Sequence, residues 1–272
     1  MPEKILPNLE GVSETLLFPL VARAVESQRP DALIKDEKAL AIVQQLDCDI
    51  SRYRLRGHDE ISLVLRVREF DRMARDFLTR NPEAVVVHIG CGLDTRFERV
   101  DNGQVEWFDL DLPQVIELRK NLVGGDRPRY HLLSDSVFDS AWLNAVRSYR
   151  QLPFLFISEA VLPYFENEQV KSLVLCLREQ FPGAELVCDV HSPFIIWADN
   201  LHLALAGAGA RMRWKLKHAR DMESWGAGIS LLEEWYYFDR PEPRLEAYRW
   251  MRFITLLGKS TGIFRYRLGE RS

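Results

Sequence analysis

Residues 85–96, Val85-Val86-Val87-His88-Ile89-Gly90-Cys91-Gly92-Leu93-Asp94-Thr95-Arg96, constrain this chain more than any other stretch. A short apolar run rich in β-branched residues predicts a strand, and the glycine pair behind it predicts a tight turn. A second apolar run ends in two acids, Asp109 and Asp111, which stand 17 and 19 positions beyond Gly92. Strand, glycine turn, helix, strand and acid, in that order, is the layout of a site for a nucleotide-containing cofactor. Glycine lets the backbone bend sharply and touch a ligand. A carboxylate ending the next strand can accept both hydroxyl hydrogens of a ribose.

The rest of the chain repeats the theme. Residues 12–80 read as helices, with Val67, Phe70, Met73, Ala74, Phe77 and Leu78 on one buried face and Asn81-Pro82 as the stop. Strands are predicted at 84–89, 105–110, 129–133, 154–158 and 184–190, with helices at 112–122, 140–148 and 167–181 between them. That alternation predicts a parallel sheet covered on both faces. Two further strands, at 233–238 and 263–268, close the chain, and the long connection 191–232 is a candidate lid or substrate wall. Within it, residues 211–220 carry five fixed positive charges, read as a solvated helix face or as a lid that attracts an acidic acceptor.

Composition narrows the function classes. The chain has 272 residues, 47% hydrophobic and 28% charged, as in an ordinary globular protein. A net charge of −4 gives no electrostatic case for nucleic acid. No apolar run approaches the ~18 residues of a membrane helix, and the first residues lack the pattern of a signal peptide. Cys48, Cys91, Cys176 and Cys188 are scattered without a C-x-x-C pair, so neither a zinc nor a disulfide framework is expected, and a reduced, cytoplasmic setting is.

In an open parallel sheet, ligands lie beyond the carboxyl ends of the strands. The candidates there are Gly90, Cys91, Gly92 and Asp94, then Asp109 and Asp111, then Ser134, Asp135 and Ser136, then Glu159, then Asp189, His191 and Ser192. Strand ends also meet water, so each of these residues has a plain solvation reading. A dinucleotide site usually carries a third glycine, where this chain has Thr95, and no tyrosine is followed four residues later by lysine. S-adenosylmethionine has no phosphate and does not need that third glycine, so the residues favour it over a nicotinamide cofactor.

Four strings carry a resemblance: Gly90-Cys91-Gly92-Leu93-Asp94-Thr95-Arg96, Trp107-Phe108-Asp109-Leu110-Asp111-Leu112-Pro113, Ser158-Glu159-Ala160-Val161-Leu162-Pro163-Tyr164, and Phe181-Pro182-Gly183-Ala184-Glu185 followed by Asp189. With Arg66-Val67-Arg68-Glu69-Phe70-Asp71, they resemble the leucine carboxyl methyltransferase family, and most closely its bacterial polyketide O-methyltransferase-like branch, over residues 12–192. The resemblance implies that Arg66, and with it Arg23, binds the methionine carboxylate. It further implies that Gly90, Cys91, Gly92 and Asp94 lie under the cofactor and that Asp111 holds the ribose, with Leu112 beside it and Asp109 as runner-up. Asp135, with Ser136, would reach the adenine, and Glu159 would lie beside the methionine. Tyr164 would line the acceptor pocket or belong to the core. The family more often has glycine and methionine where this chain has Ala160 and Pro163, and a smaller or apolar residue at His191, and these departures lie on the acceptor side. His191 is the candidate general base if the acceptor is a hydroxyl, against a plain strand-end histidine.

The expectation is one α/β domain over residues 1–272. It is a Rossmann-like, seven-stranded, mostly parallel sheet with a helical N-terminal cover (1–80) on a core (81–272), and a lid insertion (191–232) between strands five and six. The expected activity is S-adenosylmethionine-dependent O-methyl transfer to a carboxylate or hydroxyl of a small molecule, with no metal. The alternatives are a nicotinamide-dependent oxidoreductase and a cofactor-binding sensor without turnover.

Overall fold

Val85, Val86 and Val87 are fully buried, and their neighbours along the strand feed two separate cores. Val85, Val87 and Ile89 belong to one, while Val86 packs with Trp107, Leu155, Ile157 and Val187 in the other. A strand with no solvent face explains the unbroken β-branched run. Each such side chain contributes about 1.5–3 kcal/mol, which anchors the glycine turn at the end of the strand.

The structure is a computed structural model that describes residues 15–55, 57–205, 211–239, 242–253, 259 and 261–270. The strands are β1 (Val85–Ile89), β2 (Glu106–Asp111), β3 (Tyr130–Ser134), β4 (Phe154–Ser158), β5 (Ala184–His191), β6 (Ile229–Tyr236) and β7 (Thr261–Leu268). They form one sheet in the order β3-β2-β1-β4-β5-β7-β6. β1 to β5 run parallel, and β7 enters antiparallel between β5 and β6. The expected mostly parallel seven-stranded sheet is therefore present. The register sets Ile89 beside Leu110 and Ser158, Asp111 beside Ser134, and Ser158 beside Cys188. The carboxyl ends of five strands thus share one edge.

The helices are α1 (Leu17–Ser27), α2 (Glu37–Gln45), α3 (His58–Arg80), α4 (Arg96–Val100), α5 (Pro113–Leu122), α6 (Ala141–Val146), α7 (Asn167–Gln180) and α8 (Pro193–Leu205). α3 buries the predicted stripe, carries Asp59 and Glu60 in its first turn and Arg80 in its last, and stops before Pro82. With α4 it covers one sheet face, and α6 and α7 cover the other. α1, α2 and α5 share a third cluster that includes Leu93, so the N-terminal helices pack beside the turn that follows β1. The part of the expected N-terminal cover before residue 15 lies outside the described residues. Among the described residues, no helix is long and apolar enough to cross a membrane.

The basic stretch is a correction. Residues 211–216 form no helix; burial alternates, with Trp214 and Leu216 inward and Arg211, Arg213, Lys215 and Lys217 outward. The cause is tertiary. Pro163 O accepts hydrogen bonds from Arg213 N (2.6 Å) and Trp214 N (3.1 Å), and Asn200 exchanges two of 2.7 Å with the Met212 backbone. These bonds use the groups a helix would pair internally. A short 3₁₀ turn, Ala219–Trp225, follows, and β6 begins earlier than expected, at Ile229.

Candidate functional site

The glycine turn is fixed from both sides. Gly90 N and Cys91 N both donate to Leu110 O, at 2.8 and 3.2 Å. Gly92 N donates to Asp111 Oδ2 (2.8 Å), and Gly92 O accepts from Arg119 Nη1 (2.8 Å). Gly90 and Gly92 sit at φ +66° and +50°, where side chains are strained, and a Cβ on Gly90 would come 2.2 Å from Val161 Cγ2. Both glycines are therefore required by geometry at the end of β1.

Two acids on β2 divide the work. Asp111 ends the strand, half-buried, its second oxygen accepting from Leu112 N (2.8 Å). Burial pushes its carboxyl above the ordinary value, against the hydrogen bonds from Gly92 and Leu112. Asp109, the runner-up, is buried and spent. It accepts from Trp107 Nε1 (2.8 Å), Tyr130 Oη (2.6 Å) and Arg119. Burial opposes its ionisation, but Arg119 and His88 outweigh that and hold it at about 2. Asp109 supports the turn through Arg119 rather than facing it.

Beyond β3, Asp135 N is tied to Asp111 O (3.1 Å), while the Asp135 carboxylate has no hydrogen-bond partner among the described residues. Ser136 turns inward to its own loop, its hydroxyl accepting from Phe138 N (3.3 Å). Leu112 and Phe138 are 41% and 44% exposed, large apolar side chains left open on the same edge.

Glu159, just after β4, is held between two arginines. Oε1 accepts from Arg66 Nε (2.9 Å) and Oε2 from Arg96 Nη2 (2.6 Å). The two arginines differ. Arg96 is fully buried, and its remaining nitrogens engage Asp71 (2.8 Å), His88 (3.2 Å) and Asp94 (3.1 Å). Arg66 is 16% exposed at its side chain; besides Glu159, Tyr237 acts on its charge and Asp189 Oδ2 lies 4.0 Å from Nη1. Arg66 thus keeps donors for a further carboxylate and Arg96 does not.

Arg23 and Asp94 lie deeper. Arg23 donates to Asp36 (2.9 Å) and to Leu93 O (2.8 Å) and is 2% exposed. Asp94 accepts from Arg99 (2.9 Å), and burial, which opposes its charge, is outweighed by Arg96, Arg99 and Arg23, which lower its pKa. Asp36, Asp71 and Thr95 complete this buried lattice. Most of the polar atoms of these two residues help to hold α1, α3 and α4 together. Cys91 is buried, and burial pushes its thiol up.

On the acceptor side, His191 is the last residue of β5, with Nε2 3.4 Å from Asp189 Oδ2. Asp189 Oδ1 accepts from Ala160 N (2.9 Å), so Asp189 joins β5, the loop after β4, and Arg66. Burial raises the Asp189 carboxyl, and His191 and Arg66 more than compensate. Ala160 sits at φ +57°, as a glycine would. Tyr164, half-buried, ends a 3₁₀ turn two residues before α7 begins its capping box at Glu166.

Arg96, Arg119 and Phe138 were not singled out as functional by the sequence. Their partners lie far along the chain, and only an aromatic three places past Asp135 was a local signal.

The open groups fit S-adenosylmethionine part by part: an acid at the β2 end for a ribose, apolar faces and a free carboxylate for an adenine, and arginine donors for an amino-acid carboxylate. The sequence profile of the leucine carboxyl methyltransferase family matches residues 17–177. The chain is 33% identical over 235 residues to the tetracenomycin polyketide synthesis O-methyltransferase TcmP of Streptomyces glaucescens, covering 86% of each. It is 28% identical to the S-adenosyl-L-methionine-dependent methyltransferase dpfgK of Gibberella zeae, over 90% of this chain and 88% of that one. Among solved structures it is similar to a DUF574 family protein from Streptomyces avermitilis (TM-score 0.56, 14% identity, 94% of this chain and 97% of that one). It is also similar to a candidate methyltransferase from Thermobifida fusca (TM-score 0.55, 16% identity, 91% and 94%). The fold is that of these proteins, and the nicotinamide alternative is set aside. The chain belongs to the leucine carboxyl methyltransferase family and is an S-adenosylmethionine-dependent methyltransferase.

Proposed function

We propose that this enzyme methylates an oxygen, hydroxyl or carboxylate, of a small molecule in the cytoplasm, with residues 1–80 covering the core and residues 191–232 over the acceptor. The observation that carries the reading is the edge where Gly92 and Asp111 meet on one side and Arg66 and Glu159 on the other. The O-methyltransferase name of the Streptomyces glaucescens relative supports oxygen as the acceptor atom. Gly90, Cys91 and Gly92 form the floor, Asp111 takes the ribose hydroxyls, and Leu112 and Phe138 flank the adenine. Asp135 faces the adenine amino group, with Ser136 shaping its loop. Arg66 takes the methionine carboxylate, and Glu159 holds Arg66 in place.

Bound there, S-adenosylmethionine supplies a methyl group already activated by its sulfonium. The protein's task is alignment and exclusion of water. A carboxylate acceptor is ionised at neutral pH and needs no base. For a hydroxyl acceptor, His191 takes the proton, oriented by Asp189, while Tyr164 lines the approach. The balance is R–OH plus S-adenosylmethionine giving R–OCH₃, S-adenosylhomocysteine and a proton. The test is mass-spectrometric product detection with a panel of acids and phenols. Oxygen-methylated products support the reading; methylation at nitrogen or carbon alone, or cofactor binding without turnover on any acceptor, contradicts it. A His191→Ala variant with unchanged turnover of a phenol would remove His191 from the mechanism.

A further inference from the structure

We propose that the acceptor carries an anionic anchor group, separate from the oxygen that is methylated, and that this anchor sits against Arg211, Arg213 and Lys215. The inference rests on the methyltransferase reading of the strand-end site and names the substrate class of that same site.

A cavity of about 520 Å³ lies between α8 and the run 211–215, within the size range of small-molecule sites. One wall is apolar: Pro193, Ile196 and Trp197, the last 64% exposed. The other is cationic: Arg211, Arg213 and Lys215, against a single acid, Glu166, which pairs with Arg213 at 3.3 Å. Arg211 and Lys215 have no carboxylate within 4.0 Å among the described residues. The excess is therefore two positive charges, in a chain whose net charge is −4.

These cations are held in place rather than left to wander. Trp214 is buried between them, Pro163 O fixes the backbone of Arg213 and Trp214, and Asn200 clamps Met212 on both sides. Alternate residues of an extended run lie about 6.5–7 Å apart on one face. Like charges at that spacing repel, so the arrangement costs stability unless an anion shares it. Pro193, which lines the cavity, follows His191 by two residues, so the cavity begins next to the end of β5.

The anchored group is not the nucleophile. An oxygen loses negative charge as it bonds to the incoming methyl carbon. Guanidinium contacts to that oxygen would be stronger before the transfer than during it, and would slow the reaction. The chemistry is that of a bifunctional acceptor: a planar apolar body along Trp197, an anion at the basic run, and a reacting oxygen toward His191.

The test is calorimetry on protein saturated with S-adenosylhomocysteine, using a hydroxynaphthoate with its hydroxyl and carboxylate on opposite rings, and the matching naphthol. The hydroxynaphthoate is expected to bind roughly 10-fold tighter or more, and the Arg211→Ala/Lys215→Ala variant to lose about 10- to 100-fold of its affinity with naphthol and S-adenosylhomocysteine binding unchanged. Equal binding of the two probes, binding of neither, or a preference that survives in the variant overturns the proposal. Failure of S-adenosylhomocysteine to bind the wild-type protein overturns the underlying reading instead.

Discussion

The two halves of the strand-end edge are built in opposite ways. On the cofactor side, under β1 to β3, charge is buried and paired: Asp109 with Arg119, Asp94 with Arg96 and Arg99, Asp36 with Arg23. Few polar atoms there remain open, and those few match a ligand of fixed shape. On the proposed acceptor side, around α8 and the 211–215 run, charge is exposed, and two of three cavity cations lack a carboxylate partner among the described residues. Buried ion pairs fix geometry because breaking them is expensive. Exposed cations at the mouth can change with the acceptor at little cost to the fold. On the proposed reading, one enzyme thus combines a rigid grip on a constant cofactor with an adjustable wall for a variable partner.

The contrast breaks first, and hardest, at Arg96. Arg96→Ala leaves Asp71, Asp94 and Glu159 buried with less countercharge, and a stability loss of about 3–5 kcal/mol is expected in denaturant unfolding. Arg211→Ala, its counterpart on the acceptor side, is expected within about 0.5 kcal/mol of wild type. Equal losses in the two variants would dissolve the distinction.

A pH titration sharpens it. The Asp111 carboxyl is raised, so its ionised form is the first to decline as pH falls. The carboxyls of Asp109, Asp94, Asp36 and Asp189 are lowered. The stability these four contribute is fully present above the unfolded value of about 3.9 and is lost only as pH falls through their lower folded values. S-adenosylhomocysteine affinity is therefore expected to weaken, as pH falls, before circular dichroism reports loss of the fold. Binding that fades only together with the fold would contradict this order.

The smallest effect concerns Ala160. At φ +57°, alanine carries backbone strain of about 1 kcal/mol that glycine lacks. Ala160→Gly is expected to raise the melting temperature slightly, by up to a few degrees, without altering S-adenosylhomocysteine affinity. A fall in melting temperature would show that a side-chain contact of Ala160 outweighs the strain.

The same contrast explains what could be read from residue order. The turn at Gly90–Gly92 and the acid at Asp111 are joined by one strand, one turn and one helix, so spacing alone brought them together. Asp109 and Asp111, two residues apart, share one face of β2, so alternation named the right pair without saying which acid was buried. Arg23 and Asp94 were expected as ligand contacts; that they also pair with Asp36 and Arg99 was not legible, because nothing in the residue order tells a paired charge from an open one. The 211–220 run had the charge of a helix face, yet Pro163 and Asn200 set its backbone.

The central claim is that Asp111 and the glycine turn grip one adenosine. Calorimetric titration of S-adenosylhomocysteine into Asp111→Asn tests it most directly, with Asp109→Asn as the companion. A charged hydrogen-bond acceptor contributes about 1.5–3 kcal/mol. Asp111→Asn is therefore expected to weaken binding roughly 10- to 100-fold with little change in melting temperature, while Asp109→Asn chiefly lowers the melting temperature. Wild-type affinity in Asp111→Asn would contradict the account.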